Sequence, residues 1–389
     1  MNTFHIHFTF SENSGEIRRI KNIDNDLAQE LGDNVIEIAF ISIQNFKKFR
    51  KHRFTLTPQV HKKYYFPTIP FSYSNWFFKR LNSLWCSLLT FILWIFYRPQ
   101  FVIAEFSVGW QAMRFLPSSV DCIIDVHGAT REEYEYASHK IDYRLAETYD
   151  FLEGRGMKRA EYIVCQSEAM KKYLLKKYDF LNANKIFPYK CGADSNLFHI
   201  DKEIRIKMRN KMGIKEGETL FVYSGGLHKW QRIEDAISLF EEYSKKHSGK
   251  FLILTLDKAG AEKLINEKVE NIKNLFIIHS TTNNEVYKYL NAADVAFLLR
   301  DNVVLNQVAS PTKLAEYMFC GLPIISTDVS EYWIDKKSYI FNVDKENIDN
   351  LNTFIDNTNG EAISQYAMEN LSLECDRKNI ECLLNEARK

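Results

Sequence analysis

The sequence predicts an α/β protein with two domains, each built on a parallel β-sheet. Short apolar segments typical of buried strands alternate with amphipathic helical segments along the chain, and this alternation gives parallel sheets with helices on both faces. The length of 389 residues also suits two domains of ~100–200 residues each. We therefore expect Rossmann-like domains over residues 1–195 and 196–361, with the segment 362–389 packing back on the first domain.

The first domain is predicted to open with a strand over residues 3–9, where polar and apolar residues alternate. A loop that ends near Gly15 follows. The next segment is an amphipathic helix, because Ile20, Ile23 and Leu27 recur on one face. Further apolar segments predict strands over residues 35–43, 101–104, 122–126 and 162–165.

The second domain is predicted to begin within the polar stretch 194–218. Its first strand precedes the turn Ser224-Gly225-Gly226, whose glycines allow backbone N–H groups to approach a phosphate closely. A helix follows over residues 233–243, and a last helix over residues 362–387 has no strand after it. The strands of this domain are predicted at 220–223, 251–255, 275–279, 295–299 and 323–326.

The net charge and the cysteine content of the chain exclude some classes of function. The formal net charge is +1, from 51 basic and 50 acidic residues. A nucleic-acid-binding protein would need a basic excess to release counterions from phosphates, so we expect no nucleic-acid partner. The seven cysteines form no Cys-x-x-Cys pair and no zinc-type cluster with histidine, and we expect neither a metal nor a cofactor. The first ten residues lack the pattern of a signal peptide, which favours a cytoplasmic location.

One uncharged segment, Leu81–Tyr97, is 17 residues long and is flanked by basic residues. A spanning helix needs ~20 apolar residues, and this segment lies between two predicted strands of one domain. Three interpretations are open for this segment: a helix packed within the domain, a helix lying on a membrane surface, or a short membrane-spanning helix. The basic run Lys47–Arg53 is either a solvated loop or a patch that attracts anionic lipid. A membrane surface is therefore a candidate partner.

The most informative segment covers residues 292–327. Arg300 lies just past the carboxyl end of a predicted strand, and Ser310-Pro311 opens a helix in whose first turn proline is tolerated. Ligands of parallel α/β sheets bind at the carboxyl ends of strands, often at helix N-termini. Lys313 and Glu316 are three residues apart and share a helical face. There a lysine suits a phosphate and a glutamate suits a ribose diol.

In this segment the sequence resembles the retaining glycosyltransferases of the GT-B fold, in particular the family 4-like enzymes of bacterial surface-polysaccharide biosynthesis. The stretch Pro311-Thr-Lys-Leu-Ala-Glu-Tyr-Met-Phe-Cys-Gly-Leu-Pro-Ile-Ile matches the donor helix of that family. The resemblance implies two Rossmann-like domains that face each other across a cleft. Weaker matches extend over nearly the whole chain in the expected order, at Ser14-Gly15-Glu16, Asp125-Val-His127-Gly128, Phe187–Phe198, Tyr223–Leu227 and Asn291–Asp294.

The resemblance also implies roles for single residues. Glu316 corresponds to the glutamate that binds the nucleotide ribose, the last of a Glu-x7-Glu motif whose first glutamate is replaced here by Val308. Two cations that commonly grip the diphosphate in the family are replaced by Gly226 and Gln231. We therefore expect Lys229, Arg232, Arg300 or Lys313 to supply the positive charge. The predicted donor site comprises Gly225, Gly226, Lys229, Arg232, Ser310, Pro311, Thr312, Lys313, Leu314 and Glu316.

In the first domain, the resemblance implies that His127 faces the donor sugar, where it either hydrogen-bonds the sugar or steadies the charge that develops there. The alternative is a structural histidine that caps a strand. Gly15 and Glu16 fall where family members hold the acceptor, although a carboxylate at a helix start is favoured by the helix dipole in any case. We expect His127, Lys313 and Arg300 to be the catalytic residues.

These features predict a metal-independent, hexosyltransferase-type enzyme that moves a sugar from a nucleotide-diphosphate sugar to an acceptor hydroxyl with retention of configuration. By resemblance, the acceptor is a lipid-linked or surface glycan of the lipopolysaccharide or capsule type, met by a peripheral protein at the inner face of the cell membrane. Two alternatives stay open. One is a nucleotide-sugar epimerase on the same fold, and the other is a non-catalytic subunit that binds glycan or scaffolds a partner.

Overall fold

The computed structural model describes residues 2–9, 15–31, 35–43, 62–68, 76–105, 109–138, 140–190, 192–327 and 337–387. The chain folds into two units. The first contains residues 1–190, 308–310 and 376–389, and the second contains residues 191–307 and 311–375. The basic run Lys47–Arg53 lies outside the described residues.

The first unit is built on a parallel sheet. Its strands are β1 (Thr3–Thr9), β2 (Val35–Ser42), β3 (Lys62–Thr68), β4 (Phe101–Glu105), β5 (Asp121–Val126), β6 (Tyr162–Cys165) and β7 (Ile186–Pro188). They pair in parallel in the order β3-β2-β1-β4-β5-β6-β7. The helices are α1 (Gly15–Leu31), α2 (Trp76–Tyr97), α3 (Thr130–Ala137), α4 (Tyr143–Arg159) and α5 (Glu168–Lys177).

The second unit repeats this architecture. Its strands are β8 (Thr219–Ser224), β9 (Gly249–Leu254), β10 (Phe276–His279), β11 (Val295–Leu298), β12 (Ile324–Ser326) and β13 (Ile340–Asn342), paired in parallel in the order β10-β9-β8-β11-β12-β13. The helices are α6 (Lys202–Met212), α7 (Ile233–Ser244), α8 (Lys258–Lys268), α9 (Val286–Ala292), α10 (Val304–Gln307), α11 (Thr312–Phe319), α12 (Leu351–Asn357) and α13 (Gly360–Asn370).

Alternate residues of the central strands enter two separate cores in the second unit. Leu220 and Val222 of β8 belong to one buried cluster, whereas Phe221 and Tyr223 belong to another. Successive side chains of a strand point to opposite faces, so each face of this sheet is covered by its own layer of helices. The prediction of two parallel-sheet α/β domains is confirmed.

The C-terminal segment forms two helices rather than the single helix predicted over residues 362–387. Helix α13 ends at Asn370, and α14 (Leu373–Ala387) starts after a break. The break is stabilised because Ser372 Oγ accepts a hydrogen bond from the Cys375 N–H (3.3 Å) and Ala193 N–H donates to Leu371 O (3.1 Å). From Asp376 onward the chain groups with the first unit, where Ile380, Leu383 and Leu384 pack with residues of α1, β4 and β5.

Helix α2 exposes its apolar face. The described residues contain one helix, α2, that is long and apolar enough to cross a membrane by length and composition. Its buried residues are mostly small or polar, and Ser87 Oγ donates a hydrogen bond to Gln111 O. Its exposed residues are large and apolar, among them Phe77, Leu81, Leu84, Trp85, Leu88, Ile92, Ile95 and Phe96.

Candidate functional site

The predicted donor residues of the second unit gather at the carboxyl edge of its sheet. Strand β8 ends at Ser224 and is followed by Gly225, β11 ends at Leu298 shortly before Arg300, and α11 begins at Thr312. Because β8 and β11 are parallel neighbours, their carboxyl ends meet at one edge of the sheet. The edge is tied to α11 by the Tyr317 hydroxyl, which accepts a hydrogen bond from Ser224 N–H (2.8 Å).

Lys313 reaches from α11 back to the turn after β8. Its Nζ donates to Gln231 Oε1 (2.9 Å) and to the Tyr223 hydroxyl (3.3 Å), and it lies 4.5 Å from the centre of the Tyr223 ring. The Tyr223 hydroxyl itself donates to Gly226 O. The structure places Lys313 at this edge, and its contacts with Gln231 and Tyr223 were not predicted from the sequence.

Gly225 makes room for that lysine. Its φ of +141° is a conformation that favours glycine, and its N–H donates to Leu254 O at 2.8 Å. A Cβ at this position would overlap Nζ and Cε of Lys313. The backbone conformation therefore favours glycine here, and the missing Cβ leaves space for the ammonium group in its present position.

Arg300 is held at the end of β11 by Thr327. The Arg300 N–H donates to Thr327 Oγ1 (2.9 Å), and the Thr327 hydroxyl donates to Arg300 O (2.8 Å). The side chain is half-buried, and burial lowers the pKa of its guanidinium. Burial and the neighbouring charge of Arg300 hold the pKa of Lys313 well below its usual value.

Neither cation at this edge is in ion-pair contact with a described carboxylate, although the charge of Glu316 acts on Lys313 from the same helix. Both hydrogen-bond acceptors of the Lys313 ammonium are neutral. Among the residues described, no Asp or Glu forms an ion pair with Lys313 or Arg300. Desolvated charges in proteins are normally paired, so this arrangement fits an anion that arrives with a ligand.

The other residues predicted for the donor site differ in burial and in the unit to which they belong. Glu316 is 5% exposed, one turn after Lys313, and Thr312 opens the helix with Pro311 as its N-cap rather than its first residue. Leu314 is buried within the core, so its side chain packs the helix. Ser310 groups with the first unit together with Val308, whose carbonyl accepts hydrogen bonds from Ser167 Oγ (2.6 Å) and Gln166 Nε2 (3.3 Å).

The turn after β8 carries two further basic residues, Lys229 and Arg232, whose surroundings differ from those of Lys313 and Arg300. Lys229 and Gly226 are exposed. Arg232 has a left-handed backbone (φ 48°), and its Nε lies 2.5 Å from Asp235 Oδ2 and 3.9 Å from Asp301 Oδ1. Arg232 is thus compensated by two carboxylates, unlike Arg300 and Lys313.

The segment Asn291–Asp294, which matches the family, lies at the opposite edge of the sheet, just before β11. Asp294 pairs with Arg205 and Arg209 (2.5 and 2.9 Å) and accepts a hydrogen bond from Leu220 N–H. A cavity of about 690 Å³ lies at this amino edge. These contacts join α6 to the sheet. The residues Asn291–Asp294 therefore have a structural role in this protein.

In the first unit, His127 follows β5 and joins a buried ionic network. Its Nε2 lies 2.5 Å from Glu105 Oε2 and 2.7 Å from Asp125 Oδ2. Although burial alone would lower it, the two carboxylates raise the pKa of His127 to about 9. The imidazole is therefore a cation at neutral pH and donates through Nε2.

Further cations complete the network. His5 Nε2 lies 2.5 Å from Glu105 Oε1, and Arg19 of α1 binds Asp125 through both Nε (2.7 Å) and Nη2 (2.5 Å). Opposing its burial, the histidines hold the pKa of Glu105 well below its usual range. The alternation of His5 with apolar residues in β1 is typical of a half-exposed strand, yet His5 is fully buried, and its role was not predicted.

Glu105, Asp125 and His127 are the described residues that could hold a metal ion, since one ligand atom from each lies within 4.8 Å of the others. Arg19 and His5 already pair with the two carboxylates, and the Nε2 of His127 contacts both of them. The cluster thus fits a salt-bridge network better than a metal site.

The predicted acceptor residues Gly15 and Glu16 are the first two residues of α1. This helix follows β1, so both lie after the carboxyl end of an interior strand of the first sheet. The side chain of Glu16 lies outside what the structure describes.

Comparison with known proteins extends these observations. Residues 204–366, less than half of the chain, match the family model described as glycosyl transferases group 1. The match covers most of α6, the carboxyl edge of the second sheet and most of α13. No curated protein matches the sequence.

Solved structures match over nearly the whole chain at low identity. Sucrose-phosphate synthase from Thermosynechococcus elongatus has a TM-score of 0.74 at 13% identity, covering 99% of both chains. HepE from Anabaena in complex with UDP has a TM-score of 0.70 at 13% identity, covering 99% of this chain and 100% of that one. WaaG, a glycosyltransferase involved in lipopolysaccharide biosynthesis, has a TM-score of 0.64 at 14% identity, covering 97% and 95%. The fold is that of the GT-B glycosyltransferases.

Proposed function

We propose that the protein is a glycosyltransferase that takes a sugar from a nucleotide-diphosphate sugar, with the diphosphate bound at the carboxyl edge of the second sheet. The observation that carries the proposal is the pair of cations there, Arg300 and Lys313, which have no carboxylate partner among the described residues. A diphosphate supplies the missing negative charge, and the same two groups stabilise it as it leaves. The glycosyl transferases group 1 match over residues 204–366 and the binding of UDP by HepE support this donor class.

The remaining donor contacts follow from the geometry of α11. Glu316 lies one turn after Lys313 on a buried face, which suits a ribose diol next to the diphosphate. In the proposed reaction the acceptor hydroxyl attacks the sugar, its configuration is retained, and the leaving phosphate takes the proton without a metal ion. His127, a hydrogen-bond donor held in place by two carboxylates, is proposed to hydrogen-bond the donor sugar.

The proposed acceptor is a lipid-linked or surface glycan, reached at the inner face of a membrane with Gly15 and Glu16 near the acceptor. The polarity of α2 supports a membrane surface, because a helix in water normally turns its apolar face inward. Here small and polar residues such as Ser83, Cys86 and Ser87 are buried, while Phe77 and Leu88 are 55% and 45% exposed. A membrane in contact with α2 accounts for this reversed arrangement, in which polar residues are buried and apolar residues are exposed.

A second candidate, a nucleotide-sugar epimerase, is favoured by one observation. The structure brings Glu105, Asp125 and His127 together, and an epimerase needs carboxylates and histidines to move a proton. Arg19 and His5 already pair with these carboxylates, which weakens them as bases. We therefore rank transfer above epimerisation, and product analysis separates the two.

The test is a thermal-shift and turnover screen of the purified protein against nucleotide sugars, comparing wild type with Lys313→Ala, Glu316→Gln and the exposed-lysine control Lys211→Ala. We expect one donor to raise the melting temperature and release nucleotide slowly, with both effects lost in the two site variants and kept in the control. An epimer of the donor sugar would support the second candidate. Absence of any nucleotide response in the wild type would leave a non-catalytic, glycan-binding protein.

A further inference from the structure

We propose that the first unit binds the phosphate group of an anionic membrane lipid in an arginine-rimmed cavity beside α2. The inference rests on the membrane surface in the proposed function and adds a specific lipid-binding site to it. The cavity has a volume of about 290 Å³, near the lower end of the ~300–1,000 Å³ typical of small-molecule sites.

The cavity lies between α2, α4 and the turn at Trp110–Met113, and its interior is apolar. Trp110, Met113 and Leu152 contribute to the wall. Gly156 of α4 packs against the Trp110 indole so closely that a Cβ there would overlap the ring. The glycine therefore allows the helix and the turn to approach each other and shapes the cavity.

Four arginines line this cavity, and none of its lining residues is an Asp or Glu within the described part of the chain. Arg159 is fixed because its Nη2 donates to Pro117 O (2.6 Å) and Val120 O (2.9 Å). No described carboxylate forms an ion pair with Arg80, Arg114 or Arg155. Guanidinium groups bind phosphate bidentately, so four of them around one cavity fit a phosphate group.

The unpaired arginines lie against aromatic rings instead. The Arg80 guanidinium lies 5.1 Å from the Trp76 ring centre and 5.9 Å from that of Phe151, and Arg155 lies 5.6 Å from Phe151. Arg114 lies 5.9 Å from the ring of Phe115. These contacts hold the cations at the rim without neutralising them.

The surroundings favour a lipid over a soluble anion. Arg80 lies on the exposed face of α2, three residues after Phe77 and four before Leu84. Phe151 and Phe115, beside the other arginines, are 51% and 38% exposed. A soluble phosphate would leave this apolar rim in water. A phospholipid instead brings acyl chains to the apolar residues and a phosphate to the arginines, so charge and polarity are complementary on one surface.

The experiment is sedimentation of the full-length protein with vesicles of phosphatidylcholine alone or with added phosphatidylglycerol. The cavity variant is Arg114→Gln/Arg155→Gln. Its control, Lys207→Gln/Lys211→Gln, removes the same charge from exposed positions of α6. We expect the wild type to prefer anionic vesicles. The cavity variant should lose about tenfold or more of that affinity, since each basic residue near the surface contributes to binding, and the control should lose less than about threefold.

Two further arms make the result decisive. Leu84→Ser/Leu88→Ser should weaken binding to both vesicle types, and soluble glycerol phosphate should fail to compete with anionic vesicles. The proposal is overturned if the cavity variant binds anionic vesicles as the control does, if glycerol phosphate displaces the protein, or if the wild type binds no vesicles. The donor-induced thermal shift, measured on the same variants, should stay unchanged, so failure here is distinct from failure of the donor site.

Discussion

The Lys313 ammonium donates a hydrogen bond to Gln231 Oε1 at 2.9 Å. Gln231 occupies a position at which the glycosyltransferase family that the sequence resembles commonly has a lysine. Lys313 of α11 therefore brings its ammonium group to the position where that family lysine is absent. The positive charge at this edge comes from a different element of the chain.

Lys313→Ala should therefore weaken donor binding at least tenfold and lower turnover by about 10²-fold, the size expected when one preorganised group on a departing anion is removed. Donor affinity by calorimetry and nucleotide release measure both effects. Lys211→Ala, an exposed lysine of the same unit, controls for the loss of charge alone. Equal behaviour of the two variants would contradict the role of Lys313.

Gln231→Glu keeps the shape of the side chain and gives Lys313 a carboxylate partner. We expect the pKa of Lys313 to rise, because an opposite charge nearby favours the ammonium form, and donor affinity to fall about tenfold because the diphosphate meets a compensated site. Gln231→Ala should stay within about threefold of wild type, since Lys313 keeps the Tyr223 hydroxyl. Titration calorimetry of both variants with the donor tests this difference.

Gly225→Ala should abolish detectable donor binding. The added Cβ overlaps Lys313 Nζ, and a φ of +141° is strained for alanine, at a cost of about 1–3 kcal/mol. Gly217→Ala is the matched control, because Gly217 also has a positive φ (74°) but no atom within 4 Å of the added Cβ. The control should lose some stability in urea unfolding and bind the donor normally. Donor binding by Gly225→Ala would show that the ammonium group can move freely.

His127 should make stability fall with rising pH across one window. Its pKa is about 9 in the folded protein against 6.5 ordinarily, so its contribution, about 3 kcal/mol, is complete below pH 6.5. It is lost as the pH rises through about 9. The free energy of unfolding of wild type minus His127→Gln should show this decline. An imidazole that titrates near 6.5 by NMR would refute it.

Lys79 should have the opposite effect. Burial lowers the pKa of this lysine from 10.5 to about 7, with its ammonium donating to the Tyr149 hydroxyl. The folded state therefore binds the proton less tightly than the unfolded chain, and protonation below pH 7 destabilises it by roughly 2–5 kcal/mol. That penalty is relieved as the pH rises from 7 to 10.5. Relative to Lys79→Met, the wild type should gain stability over this range, as measured by urea unfolding.

All interior strands were predicted, whereas among the edge strands only β10 was. Buried apolar segments such as those of β4, β5 and β11 were found because strands covered on both faces carry uninterrupted apolar residues. Strands β3, β7 and β13 were missed, and all three lie at sheet edges. Strand β3 begins with Lys62-Lys63 and contains Pro67, which an edge strand tolerates because one side of its backbone stays unpaired. Strands β7 and β13 have three residues each, too few to show a period.

The local pattern of the chain was enough for the two parallel sheets, the helix α11 and the placement of Gly225, Arg300, Lys313 and Glu316 at or near one sheet edge. These features depend on residue spacing within single elements and on the rule that parallel strands end at one edge. The tertiary structure alone decided which groups pair. It placed Asp235 and Asp301 within 4 Å of Arg232 but gave Arg300 no ion pair with a described carboxylate. It also joined Arg19, Glu105 and His127, which lie far apart in sequence. Which charges pair depends on the distances between side chains of different elements. The spacing of residues along the sequence does not determine those distances.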